Sequence, residues 1–348
     1  MTVLKKIIYL FLSLVFLLSF ASCGEKPKTD NSSSETVSST ESASTVTSDT
    51  STVEDSSVNT TVSEASSVVS STKSKSTSSK KTVSKPKKKT TKKPEKTKKD
   101  EKINVKPSKP ATQTQISIPA FSAEVNKKIA KLSKKRIGFS WAYPESDKVL
   151  NKYNAYSHGY SNSKIIYLTF DEGYEYKNQT AKILDILKKK QVKAVFFVTL
   201  SYVKENPKLV KRMIKEGHAV GNHTVNHPEM TDVSLKRAYK EIKELHDYML
   251  QKYNYSMSLF RFPCGTYNHQ LLEMVNQMGY KSVFWNFAYE DWETNKQPSV
   301  SSARKKVLSY AKKDALYLLH ACSSTNVKIL PDLIDGARKK GLTFEVFG

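Results

Sequence analysis

The sequence predicts an α/β fold, a distorted, incomplete (β/α)7 barrel preceded by a disordered tail. Three observations carry this reading. From Ile165 to the C-terminus seven short apolar runs alternate with segments of helical period, which calls for parallel strands covered by helices. Five of those runs release a titratable or guanidinium-bearing residue at or just beyond their ends, and in barrels of this kind chemistry sits at the C-terminal ends of the strands. Between Glu25 and about Pro110 there is no aromatic residue and no apolar periodicity. Such a segment cannot bury enough apolar area to offset its ordering entropy.

The 348 residues divide into four parts. In residues 1–23, Lys5 and Lys6 precede an apolar run from Ile7 to Phe20, followed by Ala21-Ser22-Cys23. That run is short for a bilayer span and has the charged front and small-residue end of a secretion signal. Phe20-Ala21-Ser22-Cys23 resembles a bacterial lipobox, with Phe20 where Leu is more common, and the resemblance implies lipidation of Cys23 and a membrane anchor. Residues 24–115 read as a linker, Ser/Thr-rich and then Lys/Pro-rich. Residues 116–164 read as an extension packing on the main domain, and 165–348 as the domain that carries the chemistry.

Net charge is +24, unevenly spread. Residues 24–72 hold two lysines against eight acidic residues, and residues 73–110 hold sixteen lysines against three. A basic chain can serve nucleic acid, but the signal argues for export, so no nucleic-acid partner is expected. An anionic cell envelope, reached through the Lys-rich linker, is the more economical partner. Of the three cysteines, Cys264 and Cys322 remain once Cys23 is set aside. The sequence leaves their separation open, and a bridge between them is the less favoured reading.

The elements follow in order. Ala123 to Lys135 is expected as a short helix with Val125, Ile129 and Leu132 on one face, and the aromatic-rich Ile137 to Gly159 as irregular. Ile165 to Phe170 is an apolar run suited to a strand buried on both faces. Helix is expected over Thr180 to Lys189, strand over Ala194 to Val198, and helix from Pro207 to Glu216, ended by Gly217. His218 to Gly221 is a short strand and Ser234 to Gln251 a long amphipathic helix. Strands Leu259 to Phe262 and Lys281 to Trp285 flank a helix over Gln270 to Met278. Helix Ser302 to Lys312, strand Ala315 to Leu319, helix Ile329 to Lys340 and strand Leu342 to Phe347 complete the pattern.

The reactive residues fall at the strand ends. Asp171-Glu172 follows the first strand, His223 and His227 the third, Arg261 the fourth, Asp291-Trp292 the fifth and His320 the sixth. Any one of them alone suits a surface or packing role. Two neutral imidazoles and a carboxylate from another strand end would make a three-ligand site with open positions, as a hydrolytic Zn²⁺ centre needs. His₂-carboxylate also suits neighbouring ions such as Co²⁺, Mn²⁺ and Ni²⁺.

Thr169-Phe170-Asp171-Glu172, His223-Thr224-Val225-Asn226-His227, Arg261-Phe262-Pro263-Cys264-Gly265, Asp291-Trp292 and Leu318-Leu319-His320 stand in the order of five motifs. In this they resemble the NodB-type polysaccharide deacetylases, carbohydrate esterase family four. The resemblance implies that Asp171 is the general base and that Glu172, His223 and His227 ligate the metal. It further implies that Arg261 holds Asp171 ionised, that the Cys264 N–H binds the oxyanion, that His320 is the general acid, and that Asp291 orients it. Trp292, Leu318 and Leu319 would form apolar walls, including the acetyl pocket. Glu172 departs from the family's common Asp-Asp dyad.

The surrounding Thr169 to Glu175, with Val283-Phe284-Trp285 and Asp291-Trp292, resembles the delta-lactam-biosynthetic de-N-acetylases. These act on N-acetylmuramic acid of peptidoglycan during spore cortex maturation. The rival substrate is N-acetylglucosamine in peptidoglycan or chitin-like chains, with acetylated xylan a remoter one. A reading of another class is a wall-glycan-binding module that has lost its metal. Hydrolysis implies peptidoglycan strands as partner and a location outside the cytoplasm, anchored at the wall side of the membrane.

Overall fold

The computed structural model describes residues 105–348, apart from 141–144 and 161–162. The signal-like segment, Cys23 and the linker up to residue 104 lie outside the described residues. Among the described residues no helix is long and apolar enough to cross a membrane.

The strands, in chain order, are β1 Ile137–Gly138, β2 Ala155–Tyr156, β3 Ile165–Glu172, β4 Val195–Val198, β5 Ala219–Asn222, β6 Leu259–Phe260, β7 Thr266–Tyr267, β8 Lys281–Val283, β9 Ala315–His320 and β10 Thr343–Phe344. The helices are α1 Ala123–Ile129, α2 Asp147–Lys152, α3 Gln179–Lys190, α4 Leu200–Glu205, α5 Pro207–Lys215, α6 Leu235–Tyr253, α7 His269–Gln277, α8 Val300–Ser309 and α9 Ser324–Lys339. One parallel sheet runs β10-β3-β4-β5-β6-β8-β2, with β9 on the other edge of β3. The sheet curls until the chain beyond β8 meets β9. Asn286 N–H donates to Leu316 O at 3.0 Å, and Leu318 N–H donates to Phe287 O at 2.8 Å. This is the curled, incomplete barrel that the alternation of strand and helix predicts.

Side chains alternate along each strand, and the alternation sorts the core into two clusters. Ile166, Leu168, Phe170, Phe196, Val198, Val220 and Phe260 pack against the helix layer. Tyr167, Val195, Phe197, Ala219, Leu259, Val283 and Leu316 form a second cluster, which is the barrel interior. The interior is tight: a Cβ on Gly221 would lie 2.4 Å from the Phe197 ring. The same parity, carried to the strand ends, sends Asp171, His223, Arg261 and His320 inward and Glu172 outward.

Helix starts are capped as the sequence allows. Thr199, Ser234, Asn268, Ser299 and Ser323 each accept an N–H from the first turn that follows, which satisfies donors the helix itself cannot. Pro207 opens α5.

Several boundaries differ from expectation. Residues 105–115 are not all linker: Ser108 is buried, its hydroxyl donates to Phe344 O at 2.6 Å, and its N–H donates to Gln191 O. One is a backbone pairing and the other a single hydroxyl bond, and neither leaves a periodic signature. The first helix stops at Ile129 rather than Lys135. Residues 137–159, expected to be irregular, contain β1, α2 and β2; β1 pairs antiparallel with β7, and Phe139 stacks on Phe284 at 4.5 Å. Helix α4 was not anticipated. Helix α9 begins at Ser324, ahead of the expected start at Ile329, and carries Pro331 inside it.

Candidate active site

Asp171 sits at the end of β3, in register with His320 of β9. Its Oδ1 accepts from Arg261 Nη1 at 2.8 Å, and its Oδ2 lies 3.6 Å from His223 Nε2. Arg261 is fully buried, and each nitrogen of its fork donates. Nη1 also reaches Thr169 Oγ1 at 2.8 Å, Nε donates to Val283 O at 2.9 Å, and Nη2 to Phe284 O at 2.9 Å. The guanidinium lies 4.3 Å from the Phe197 ring centre, so the interior cluster is the floor on which it rests. Burial alone would raise the Asp171 pKa, but Arg261, then His223 and His320, outweigh it and hold the carboxyl below the ordinary carboxylate range.

His223 is buried, and its Nδ1 lies 2.9 Å from Arg261 O. A carbonyl can only accept, so Nδ1 carries the proton and the Nε2 lone pair is left facing Asp171. Burial, opposed by the Asp171 carboxylate and helped by His227, lowers the His223 pKa to about 4, so the ring is neutral at physiological pH. His227 stands at the exposed rim with its ring centre 4.7 Å from that of His223.

The turn between them is built by a residue the sequence reading missed. Thr224 and His227 have φ of +72° and +53°. Glu241, buried on α6, accepts from Val225 N–H at 3.1 Å, from Asn226 N–H at 2.9 Å and from the Asn226 amide at 2.9 Å. Arg237 pairs with it from one turn earlier. Burial works against the Glu241 charge, but Asn226 and Arg237 hold its pKa below the ordinary value. The signal was available, since an acid between Ala238, Ile242 and Leu245 interrupts the apolar stripe of an amphipathic helix. Glu241→Ala should weaken Zn²⁺ binding, measured by calorimetry, about 10–100-fold through the misplaced imidazoles, with Glu241→Gln restoring part of the loss. Unchanged affinity with a lowered Tm would leave Glu241 a structural residue only.

His320 is held by Asp291, which is fully buried. Nδ1 lies 2.7 Å from Asp291 Oδ1, and the His320 N–H donates to Oδ2 at 2.9 Å. Asn326 donates to the same Oδ2, and Tyr289 donates to Asn326; neither was read from the sequence. Burial lowers the His320 pKa, but Asp291 overcomes it and leaves the imidazole above its usual value. Trp292 lies edge-on to His320, with ring centres 5.7 Å apart, and Leu318 and Leu319 are buried beside it on β9. Cys264 sits in a 3-10 turn over Pro263–Gly265 with φ of +55°. No disulfide joins Cys264 and Cys322.

Glu172 does not join the imidazoles. Its parity on β3 points it at the helix layer, where Oε2 accepts from Thr180 Oγ1 at 3.2 Å. Burial, then Glu175, raises its pKa well above the usual carboxylate value. Among the described residues no three His, Cys, Asp or Glu side chains form a complete metal-ligand set. The expected Glu172 ligand is therefore not placed. His223 and His227 nonetheless fit a divalent ion as donors: both rings are close, and the His223 lone pair is presented by a fixed tautomer.

Comparison with known proteins agrees with this geometry. Residues 158–283 match the family described as Polysaccharide deacetylase. The chain is 38% identical over 207 residues to the peptidoglycan-N-acetylmuramic acid deacetylase PdaA of Bacillus subtilis, covering 58% of this chain and 78% of that one. It is 35% identical over 182 residues to the peptidoglycan-N-acetylglucosamine deacetylase PgdA of Listeria monocytogenes, covering 52% of this chain and 38% of that one. The solved structure of Bacillus subtilis PdaA, a family 4 carbohydrate esterase, superposes with a TM-score of 0.59 at 33% identity, over 62% of this chain and 96% of that one.

Proposed function

The chain belongs to the polysaccharide deacetylase family, and on that premise we propose that it hydrolyses the N-acetyl groups of N-acetylmuramic acid in peptidoglycan strands. The observation that carries the reaction class is the opposed pair at one strand-end face. Asp171 is held below the ordinary carboxylate range by Arg261, and Asp291 raises the His320 pKa above its usual value. A base and an acid whose pKa values are pushed apart are what amide hydrolysis needs. Asp171 takes a proton from the attacking water as its oxygen adds to the acetyl carbonyl. His320 then gives a proton to the amine nitrogen as the C–N bond breaks, leaving acetate and a free amine. The backbone N–H of Cys264 would face the developing oxyanion, and Leu318 and Trp292 would enclose the acetyl methyl, whereas Leu319, adjacent to Leu318 on β9, points to the opposite face. His223 and His227 would hold a divalent ion, Zn²⁺ by ligand chemistry, which when bound supplies Lewis acidity toward the carbonyl and the water.

Muramic acid is favoured over glucosamine by the likeness to PdaA, whose matched region spans most of that protein's length. The test is acetate release from peptide-stripped muramic-acid strands and from glucosamine oligomers, side by side. Turnover of the muramic strands supports the reading; turnover of glucosamine polymers alone overturns it. We further propose a location at the wall side of the membrane through a lipid on Cys23, with the Lys-rich linker against anionic wall polymers, and a role in spore cortex maturation. The signal-like run, the Cys23 context and the lysine clustering support this.

A further inference from the structure

We propose that the turn after β3 forms a second cation site, separate from the histidine pair, for a hard divalent ion of the Ca²⁺ class held by Glu172, Glu175, Tyr202 and Thr180. The observation behind it is a cluster of buried oxygens without hydrogen-bond partners. Glu172 is 1% exposed, and its Oε1 has none. Both carboxylate oxygens of Glu175 are shielded from solvent and likewise unpartnered. Tyr202 is 0% exposed, and its hydroxyl lies beside Thr180, the same residue that bonds Glu172.

These groups are brought together by the backbone. Thr199 N–H donates to Glu172 O at 3.2 Å, Thr199 Oγ1 donates to Gly173 O at 3.3 Å, and Tyr202 N–H donates back to Thr199 Oγ1 at 3.3 Å. The start of α4 is thus laid over the turn. Thr180, on α3, closes the other side through its bond to Glu172 Oε2 at 3.2 Å. Thr180 links Glu172 to the Tyr202 hydroxyl, and the charge of Glu175 bears on both, which places the carboxylates on one side of Tyr202.

Buried carboxylates need a counter-charge, and among the described residues no Lys, Arg or His supplies one through a hydrogen bond to these oxygens. The donors are all oxygen, with no imidazole or thiol among them. That chemistry disfavours Zn²⁺ and favours a hard ion that accepts carboxylate, hydroxyl and water oxygens in irregular number. Two carboxylates balance a charge of +2. An ion there would tie the end of β3, and with it Asp171, to α3 and α4.

The full chain, stripped with chelator, is titrated with Ca²⁺ alone by equilibrium dialysis, with Tm followed in parallel. The site requires about one Ca²⁺ per chain and a rise in Tm, both retained in His223→Ala, which disables the histidine pair. Glu175→Gln should weaken Ca²⁺ binding at least about tenfold. Tyr202→Phe should weaken it less, without lowering the Tm of the stripped chain. The proposal is overturned if the chain binds no Ca²⁺, if Glu175→Gln leaves binding unchanged, or if His223→Ala abolishes it. It is also overturned if Glu175→Gln raises Tm by itself and no ion binds, since the two carboxyls then share a proton instead.

Discussion

Arg261→Met should lower Tm by about 6–20 °C and abolish acetate release. Asp171 and Arg261 form a pair in which the cation is fully buried and the anion nearly so. Removing one partner of such a pair costs about 3–5 kcal/mol, because the other is left buried and unpaired. At roughly 2–4 °C per kcal/mol for a domain of this size, that is the expected fall. The pH dependence gives a sharper sign. In the native chain the Asp171 pKa is depressed, so its contribution to stability is present above the unfolded value of about 3.9 and is lost as pH falls through the folded one. Without Arg261, burial is left to dominate and the pKa rises above the unfolded value. The deficit in Tm should therefore shrink as pH is lowered and Asp171 takes up a proton. A deficit that grows on acidification, or a stable and fully active variant, would show that the pair does not organise this face.

His320→Ala should reduce kcat/KM for an N-acetyl substrate by about 10²–10⁴-fold. The amine is a poor leaving group and needs the proton that His320 carries. An acetate ester of a good leaving group, such as 4-nitrophenyl acetate, needs no such proton and should lose far less. Asp291→Asn separates charge from position. It keeps an acceptor for Nδ1 but removes the carboxylate that raises the His320 pKa. The alkaline limb of the kcat/KM profile should then move to lower pH. The same logic bears on stability: a raised His320 pKa contributes stability that is full below about 6.5 and is lost as pH rises through the folded value. Equal losses on amide and activated ester would contradict the assignment of His320 as the acid.

The architecture was largely legible because parallel strands covered by helices on one side and a packed interior on the other read as unbroken apolar runs. Ile165–Phe170 and Ala315–Leu319 are of this kind. What escaped had no periodicity to read. β1, β2 and β7 are two residues long and exist through their pairing. Helix α4 is six residues, set by the Thr199 cap, and Ser108 is held by its N–H to Gln191 O and its hydroxyl to Phe344 O. The site was legible at its strand ends and illegible one layer out. Asp171, Arg261, Asp291 and His320 are connected as the motif order implied. Glu241 and Asn326, which hold the histidine turn and Asp291, sit on helices far along the chain. Glu172 was misplaced because motif order counts residues and does not count faces, whereas adjacent residues of a strand point to opposite sides.

The central claim is that Asp171 and His320 act together on an N-acetyl amide of wall glycan. The most direct measurement is acetate released and free amines formed when the full chain acts on purified, peptide-stripped peptidoglycan strands. Wild type should release acetate and free amines in equal amounts, and Asp171→Asn should do so about 10²–10⁴-fold more slowly while remaining folded. No acetate from wild type, or the same rate from Asp171→Asn, would contradict it.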